Sequence, residues 1–250
     1  MSLFDHVEAL QGDIPWGRFL DAGTGVNSSL WSTDLTTEAW TGVTAAAGHA
    51  DQVRASVGAR FRTQDRLLLG NWTDETLLAG EVHDTVLADY LIGAVEGFAP
   101  YFQQLLLRRL RPLTGRRLYV VGLDPYVVGP ADTDEARMVR EIGRLRDAVL
   151  MLANETPYRE YPAEWMLNAL GGAGFRVLSA RRFPNRYKAK WVNGQLDMTL
   201  RRLPFVVDQS LALRLRETVE EMRRRALALC DERCGLRHGA DYVIACEPID

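Results

Sequence analysis

From residue 18 to residue 122, short apolar runs take turns with amphipathic helical patterns, and this alternation restricts the chain more than any other feature. The pattern predicts strands near 18–22, 39–44, 66–71 and 83–89, helices near 28–35, 49–59 and 96–110, and a buried strand over Arg116–Gly122. Strands separated by helices pair in parallel, with helices packed on both faces of the sheet. The chain therefore predicts a doubly wound α/β fold, with Asp241–Cys246 as its last strand. At 250 residues a single domain accommodates the whole chain, 1–250. Two segments break the rhythm. Residues 126–161 carry a loop whose Asp132 or Thr133 caps a long helix ending near Asn154. Residues 184–239 carry a hairpin around Asn193–Gly194 and a helix from about 208 to 234. Both inserts are expected to cover a pocket.

Within this frame the run Arg18-Phe19-Leu20-Asp21-Ala22-Gly23-Thr24-Gly25 places an acid and a glycine turn at the end of the first strand, and Val26-Asn27-Ser28-Ser29 opens a helix. Such a turn lets the backbone approach a nucleotide-like ligand. A dinucleotide would set its pyrophosphate against Asp21, and its fingerprint wants a third glycine where Ser28 stands. It also wants an acid about twenty residues on, where the chain reads Thr41-Gly42-Val43-Thr44-Ala45. S-adenosylmethionine has no phosphate and carries an ammonium and a sulfonium, so a carboxylate beside the turn attracts it.

Other features bound the partners. A net charge of −3, with 47% hydrophobic and 25% charged residues, gives no global basic excess for nucleic acid. The pairs Arg108–Arg109 and Arg181–Arg182 and the run Arg223–Arg225, near Glu217, Glu220 and Glu221, read as solvated faces. No apolar stretch reaches the length of a membrane span, and Met1–His6 lacks a signal-peptide pattern, so a cytoplasmic location is expected. Three cysteines form no even disulfide framework. Cys230, Cys234 and His238 recur every four residues, which admits a metal site or a bland helix end; Gly235 stops the helix before His238, and no metal is expected. Self-association into a homo-oligomer stays open.

Three further segments carry a resemblance. Leu110-Arg111-Pro112-Leu113-Thr114-Gly115-Arg116-Arg117-Leu118-Tyr119-Val120-Val121 resembles the helix, turn and fifth strand of class I S-adenosylmethionine-dependent methyltransferases. Trp165 to Val177, ending Ala173-Gly174-Phe175-Arg176-Val177, is similar to their helix before the sixth strand. His83-Asp84-Thr85-Val86-Leu87-Ala88-Asp89-Tyr90 resembles their fourth strand. The resemblance covers about residues 16–183 and implies a Rossmann-like, mostly parallel seven-stranded sheet with an antiparallel last strand. It implies S-adenosylmethionine as cofactor, with Asp21, Gly23, Thr24 and Gly25 at its methionine end, Thr44 at the ribose position, Asn71 and Trp72 at the adenine, and Asp89 and Tyr90 facing sulfonium and acceptor. Thr44 followed by Ala45 departs from the family's usual ribose-binding acid, and Asn71 stands where an acid often meets the adenine amine.

Asp89 and Tyr90 at a strand end can orient or deprotonate an acceptor and hold a sulfonium by cation–π attraction; the bland reading is a helix cap and a packed tyrosine. Asp124 and Tyr126 after the fifth strand read as pocket wall or as an ordinary turn. Asn154, Tyr158, Tyr161 and Tyr187 in the inserts close over a cation or simply pack, and Tyr158 is taken as a third catalytic candidate. The expected activity is methyl transfer from S-adenosylmethionine to a small-molecule nucleophile. A second reading, which resembles the azetidine-2-carboxylate synthases of the same fold, makes the cofactor itself the substrate: its amine closes a four-membered ring and releases methylthioadenosine. A third is a non-catalytic cofactor-binding module.

Overall fold

The computed structural model describes residues 2–249. The chain packs into two compact units, Met1–Leu123 with Arg159–Arg182 and Tyr242–Asp250, and Asp124–Tyr158 with Phe183–Asp241. Seven strands occur among the described residues: β1 (Arg18–Asp21), β2 (Ala39–Thr44), β3 (Arg66–Leu69), β4 (His83–Asp89), β5 (Thr114–Leu123), β6 (Phe175–Tyr187) and β7 (Leu236–Pro248), in the order β3-β2-β1-β4-β5-β7-β6. The boundary between the units falls within β6 and β7.

In the first unit the β1–β2, β2–β3, β1–β4 and β4–β5 pairs are parallel. Because β2 and β3 step away from β1 on one side while β4 and β5 step away on the other, the sheet has its switch point between β1 and β4, where open α/β sheets bind ligands at the carboxyl edge. The last strand reverses direction: Gly122 packs on Tyr242 while the Cys246 thiol reaches the Leu118 carbonyl, so β7 runs down as β5 runs up. Phe19, Leu20, Val86, Leu87, Ala88 and Leu118–Val121 are completely buried, which explains why these strands read as continuous apolar runs. Each large side chain so buried contributes on the order of 1.5–3 kcal/mol. Around this sheet lie α1 (Leu3–Gln11), α2 (Val26–Ser32), α3 (Ala47–Val57), α4 (Leu91–Ala94), α5 (Gln103–Leu110) and α7 (Ala163–Gly172), with α6 (Asp134–Leu152) in the second unit. Ser2 and Asp5 start α1 with a reciprocal capping box.

The helix expected over 96–110 is broken. After α4 the chain makes a 3-10 turn over Val95–Gly97 and resumes helix only at Gln103. Pro100 has no amide proton to give a helix, and the buried Glu96 carboxylate accepts the Tyr101 amide at 3.0 Å, which fixes the break.

The second unit packs α6 against α8 (Ala189–Arg202) and α9 (Gln209–Glu232). Thr133 caps α6 by accepting the Ala136 amide, and Asp208 caps α9. Here the hairpin expected at Asn193–Gly194 is wrong, because both residues lie inside α8. Val192, Leu196 and Thr199 recur at helical spacing and are buried, so packing of that face outweighs the turn preference of the dipeptide. Pro184 sits within β6, a position open to proline because β6 is an edge strand.

Candidate active site

Asp21 ends β1 with no exposed surface. Two backbone bonds hold the turn after it, Ala22 N–H to the Leu87 carbonyl and Thr24 N–H to the Val43 carbonyl, both at 2.8 Å. The turn is thus tied to the strands on either side of β1. Gly25 is the N-cap of α2, and Ser28 at the third helical position accepts its amide at 3.1 Å. The two glycines do different work. A Cβ on Gly23 would stand 2.8–2.9 Å from Leu91 atoms, so Gly23 lets the turn press on the start of α4. A Cβ on Gly25 would meet nothing within 4 Å, and its backbone is ordinary extended geometry. Glycine suits the N-cap position, and the open space beside it leaves the Gly25 backbone free for close approach by a ligand.

The Thr24 hydroxyl donates to Asp21 Oδ2 at 2.6 Å, while Oδ1 is buried with no hydrogen bond of normal geometry. Burial pushes the Asp21 carboxyl up to about 6, eased by Thr24, by the Ser28 hydroxyl and by the Gly23 amide nearby. A buried acceptor without a partner is costly, and a cationic donor at this turn would relieve it. The residues present therefore fit the ammonium end of S-adenosylmethionine.

Thr44 ends β2, buried, and its carbonyl accepts the Gly70 amide at 3.0 Å. No acid follows it, since the chain continues Ala45-Ala46. Asn71 and Trp72 follow β3 in the loop beyond Gly70. Asn71 donates to the Phe98 carbonyl at 3.1 Å and accepts from the Thr73 amide and hydroxyl at 3.1 and 3.0 Å, so its side chain is engaged in shaping the loop. Trp72 is a core residue, only 4% exposed, whose indole N–H donates to the Ala22 carbonyl at 2.7 Å. It braces the Asp21–Gly23 turn from beneath.

Asp89 ends β4 opposite Val121, and Tyr90 follows in the left-handed conformation at φ 49°, donating its amide to the Val121 carbonyl at 2.9 Å. A non-glycine residue held there stores strain, a feature that clusters at functional sites. Leu91, the next residue, is the one that meets Gly23, so the glycine turn and the Asp89–Tyr90 bend are neighbours. The structure thus brings together Asp21, Gly23, Thr24 and Trp72 with Asp89 and Tyr90 at the switch point.

Sequence reasoning passed over Glu160. Its carboxylate crosses α4 at Gly93, where an added Cβ would stand 2.4 Å from Oε2, three residues beyond Tyr90. The same segment is anchored by Arg159, which donates to the Gly93 carbonyl through its amide and pairs with the buried Glu96 at 3.1 Å. A glycine inside an apolar helical turn was the one available signal.

Tyr161 belongs to the first unit, packed at a tilt against Trp165 with centroids 4.1 Å apart. Asp124, Tyr126, Asn154, Tyr158 and Tyr187 belong to the second unit. Tyr126 is a core residue there, bonded through its hydroxyl to Arg146 at 2.6 Å and ringed by Tyr187 and Trp191. Tyr158 is 49% exposed. Cys230 is buried on α9, Cys234 is exposed beyond it, and His238 lies on β7. Among the described residues no group of three or more His, Cys, Asp or Glu is placed to hold a metal ion, and no helix is long and apolar enough to cross a membrane.

No protein-family model matches the chain. No curated protein matches it either. Solved structures do. The mycolic acid cyclopropane synthase CmaA1, complexed with SAH and CTAB, aligns with a TM-score of 0.57 at 16% identity, covering 99% of this chain and 86% of that one. The [4+2]-cyclase SpnF aligns at 0.56 and 14% identity over 99% and 81% of the two chains. Magnesium protoporphyrin IX methyltransferase from Synechocystis PCC 6803, with bound SAH, aligns at 0.53 and 14% identity over 98% and 81%. The chain has the Rossmann-like α/β fold of these proteins.

Proposed function

We propose that this protein binds S-adenosylmethionine and transfers a carbon group from its sulfonium to a small-molecule nucleophile, most simply as a methyltransferase. The observation that carries the reading is the buried Asp21 carboxylate, whose Oδ1 makes no hydrogen bond of normal geometry, beside the open Gly25 at the sheet's switch point. Two of the structures that share the fold hold SAH, the demethylated form of that cofactor. Asp21 takes the ammonium, the Gly23-Thr24-Gly25 turn, braced by Trp72 from the core, admits the methionine end, and Thr44 and Asn71 flank the nucleoside side. When bound, the cofactor supplies an electrophilic carbon on positively charged sulfur, which leaves as a neutral thioether with the bonding pair. Asp89 and Tyr90 then orient the acceptor, receive its proton and offer a π face, so catalysis is chiefly positioning.

A second reading has a specific support: among proteins of this fold are a cyclopropane synthase and a [4+2]-cyclase, so the fold does not fix the bond formed. In that reading the cofactor's own amine attacks the carbon beside sulfur, closing an azetidine ring and expelling methylthioadenosine. Incubation with S-adenosylmethionine, with and without candidate acceptors, followed by mass spectrometry separates the two. S-adenosylhomocysteine indicates methyl transfer, methylthioadenosine indicates cyclisation, and absence of cofactor binding contradicts both.

A further inference from the structure

The second unit carries a groove of about 350 Å³ between β6 and β7, lined by Pro184, Asn185, Arg186, Arg237, His238 and Gly239. That volume suits a small molecule. Arg186 and Arg237 come from neighbouring strands and line one space, yet neither guanidinium has an ion pair or hydrogen bond among the described residues. Like charges brought together across strands destabilise a sheet unless something neutralises them. The acids nearest in sequence, Glu232 and Asp241, line no part of the groove, and Glu232 pairs with Arg233 at 3.2 Å.

The walls are built rather than loose. Gly235, at φ +114°, lies beneath the Arg186 stem, and a Cβ there would stand 2.7 Å from the Arg186 Cγ. Only glycine both adopts that backbone and leaves room for the stem. His238 donates through Nε2 to the Tyr126 carbonyl at 2.9 Å, since a carbonyl only accepts. Tyr126 is itself fixed by Arg146, and Asn185 is held by the Tyr187 hydroxyl at 3.3 Å.

We propose that this groove binds a carboxylate- or phosphate-bearing small molecule, gripped by the forks of Arg186 and Arg237. Guanidinium forks match both oxyanions. The groove belongs wholly to the second unit, and the inference does not depend on S-adenosylmethionine.

Calorimetry of the full chain at constant ionic strength tests it, with inorganic phosphate in one arm and succinate in the other. Saturable binding is expected in at least one arm, and the stronger arm assigns the oxyanion. Arg186→Gln and Arg237→Gln, at exposed positions, should each weaken it about tenfold or more. Arg225→Gln, on α9 beside Glu141, should leave it unchanged. No saturable binding in either arm, or equal affinity in all variants, overturns the proposal.

Discussion

The Thr24 hydroxyl donates to one carboxylate oxygen of Asp21 at 2.6 Å and leaves the other buried with no hydrogen bond of normal geometry. Ionised Asp21 is therefore a strained group in the ligand-free protein. Because burial raises its folded pKa to about 6 from 3.8, the folded state holds its proton longer than the unfolded chain. Its contribution makes stability fall as pH rises between those two values, and the loss is complete above about 6. Asp21→Asn should then raise the melting temperature of the ligand-free protein above that pH, by an effect on the order of 1–3 kcal/mol. Below the unfolded pKa the two proteins should melt alike. Thermal unfolding across pH shows it, and a variant that melts lower at neutral pH contradicts the buried-charge account.

Glu96 works in the opposite sense. Burial acts to raise its carboxyl, but bonds from the Gln103 amide, the Tyr101 backbone and Arg159 outweigh it and hold the group below its ordinary value. Its stabilisation is present above the unfolded pKa of about 4.5 and is lost as pH falls through the depressed folded value. Glu96→Gln should flatten the acid limb of the stability curve. Arg159→Ala should cost no more than about 1 kcal/mol, since that guanidinium is half exposed. Glu96→Ala, which strips the acceptor from the whole cluster, should cost on the order of 2–4 kcal/mol in urea titrations. Equal costs would show that the pair, not the cluster, holds the segment.

Much of the frame was legible along the chain. The strands over 39–44 and 83–89 start and stop where the apolar runs do, because both faces of each are buried and turn residues bound them. Asp21, Thr44 and Asp89 could be placed at strand ends for the same reason. Asn193–Gly194 misled because a two-residue turn signal is local, whereas the buried Val192–Leu196–Thr199 face is decided by what packs on it. The last strand is 13 residues long, yet only its uniformly buried stretch announced itself; before Tyr242 its burial is mixed. Contacts such as Trp72 to Ala22 and Glu160 to Gly93 join residues 50 or more apart, and no spacing rule reaches them.

Trp72→Phe keeps most of the core volume but removes the donor to the Ala22 carbonyl. A buried carbonyl left unsatisfied costs on the order of 1–3 kcal/mol, which should appear as a lower midpoint in denaturant. Since that carbonyl belongs to the turn after Asp21, affinity for S-adenosylhomocysteine should fall as well. An unchanged midpoint would mean that the indole merely fills space.

At the bend after β4, Tyr90→Phe should keep stability within about 1 kcal/mol, whereas Tyr90→Val, β-branched at φ 49°, should lose a further 1–2 kcal/mol or so. Asp89→Asn and Tyr90→Phe should lower turnover more than cofactor affinity. If both folded variants retain full turnover, proton handling lies elsewhere, and Tyr158, Tyr161 and Tyr187 are the next to replace.

The central claim is that Asp21 meets the ammonium end of the cofactor, and the pH dependence of binding reads that contact. Calorimetric titration with S-adenosylhomocysteine, from about pH 5 to about pH 8, compares the native protein with Asp21→Asn. A cation binds the ionised carboxyl, so affinity should climb towards tenfold per pH unit below about 6 and level off above it. The variant should bind about 10–100-fold more weakly at neutral pH and show no such climb. A flat profile in the native protein, with the same affinity in the variant, would contradict the account.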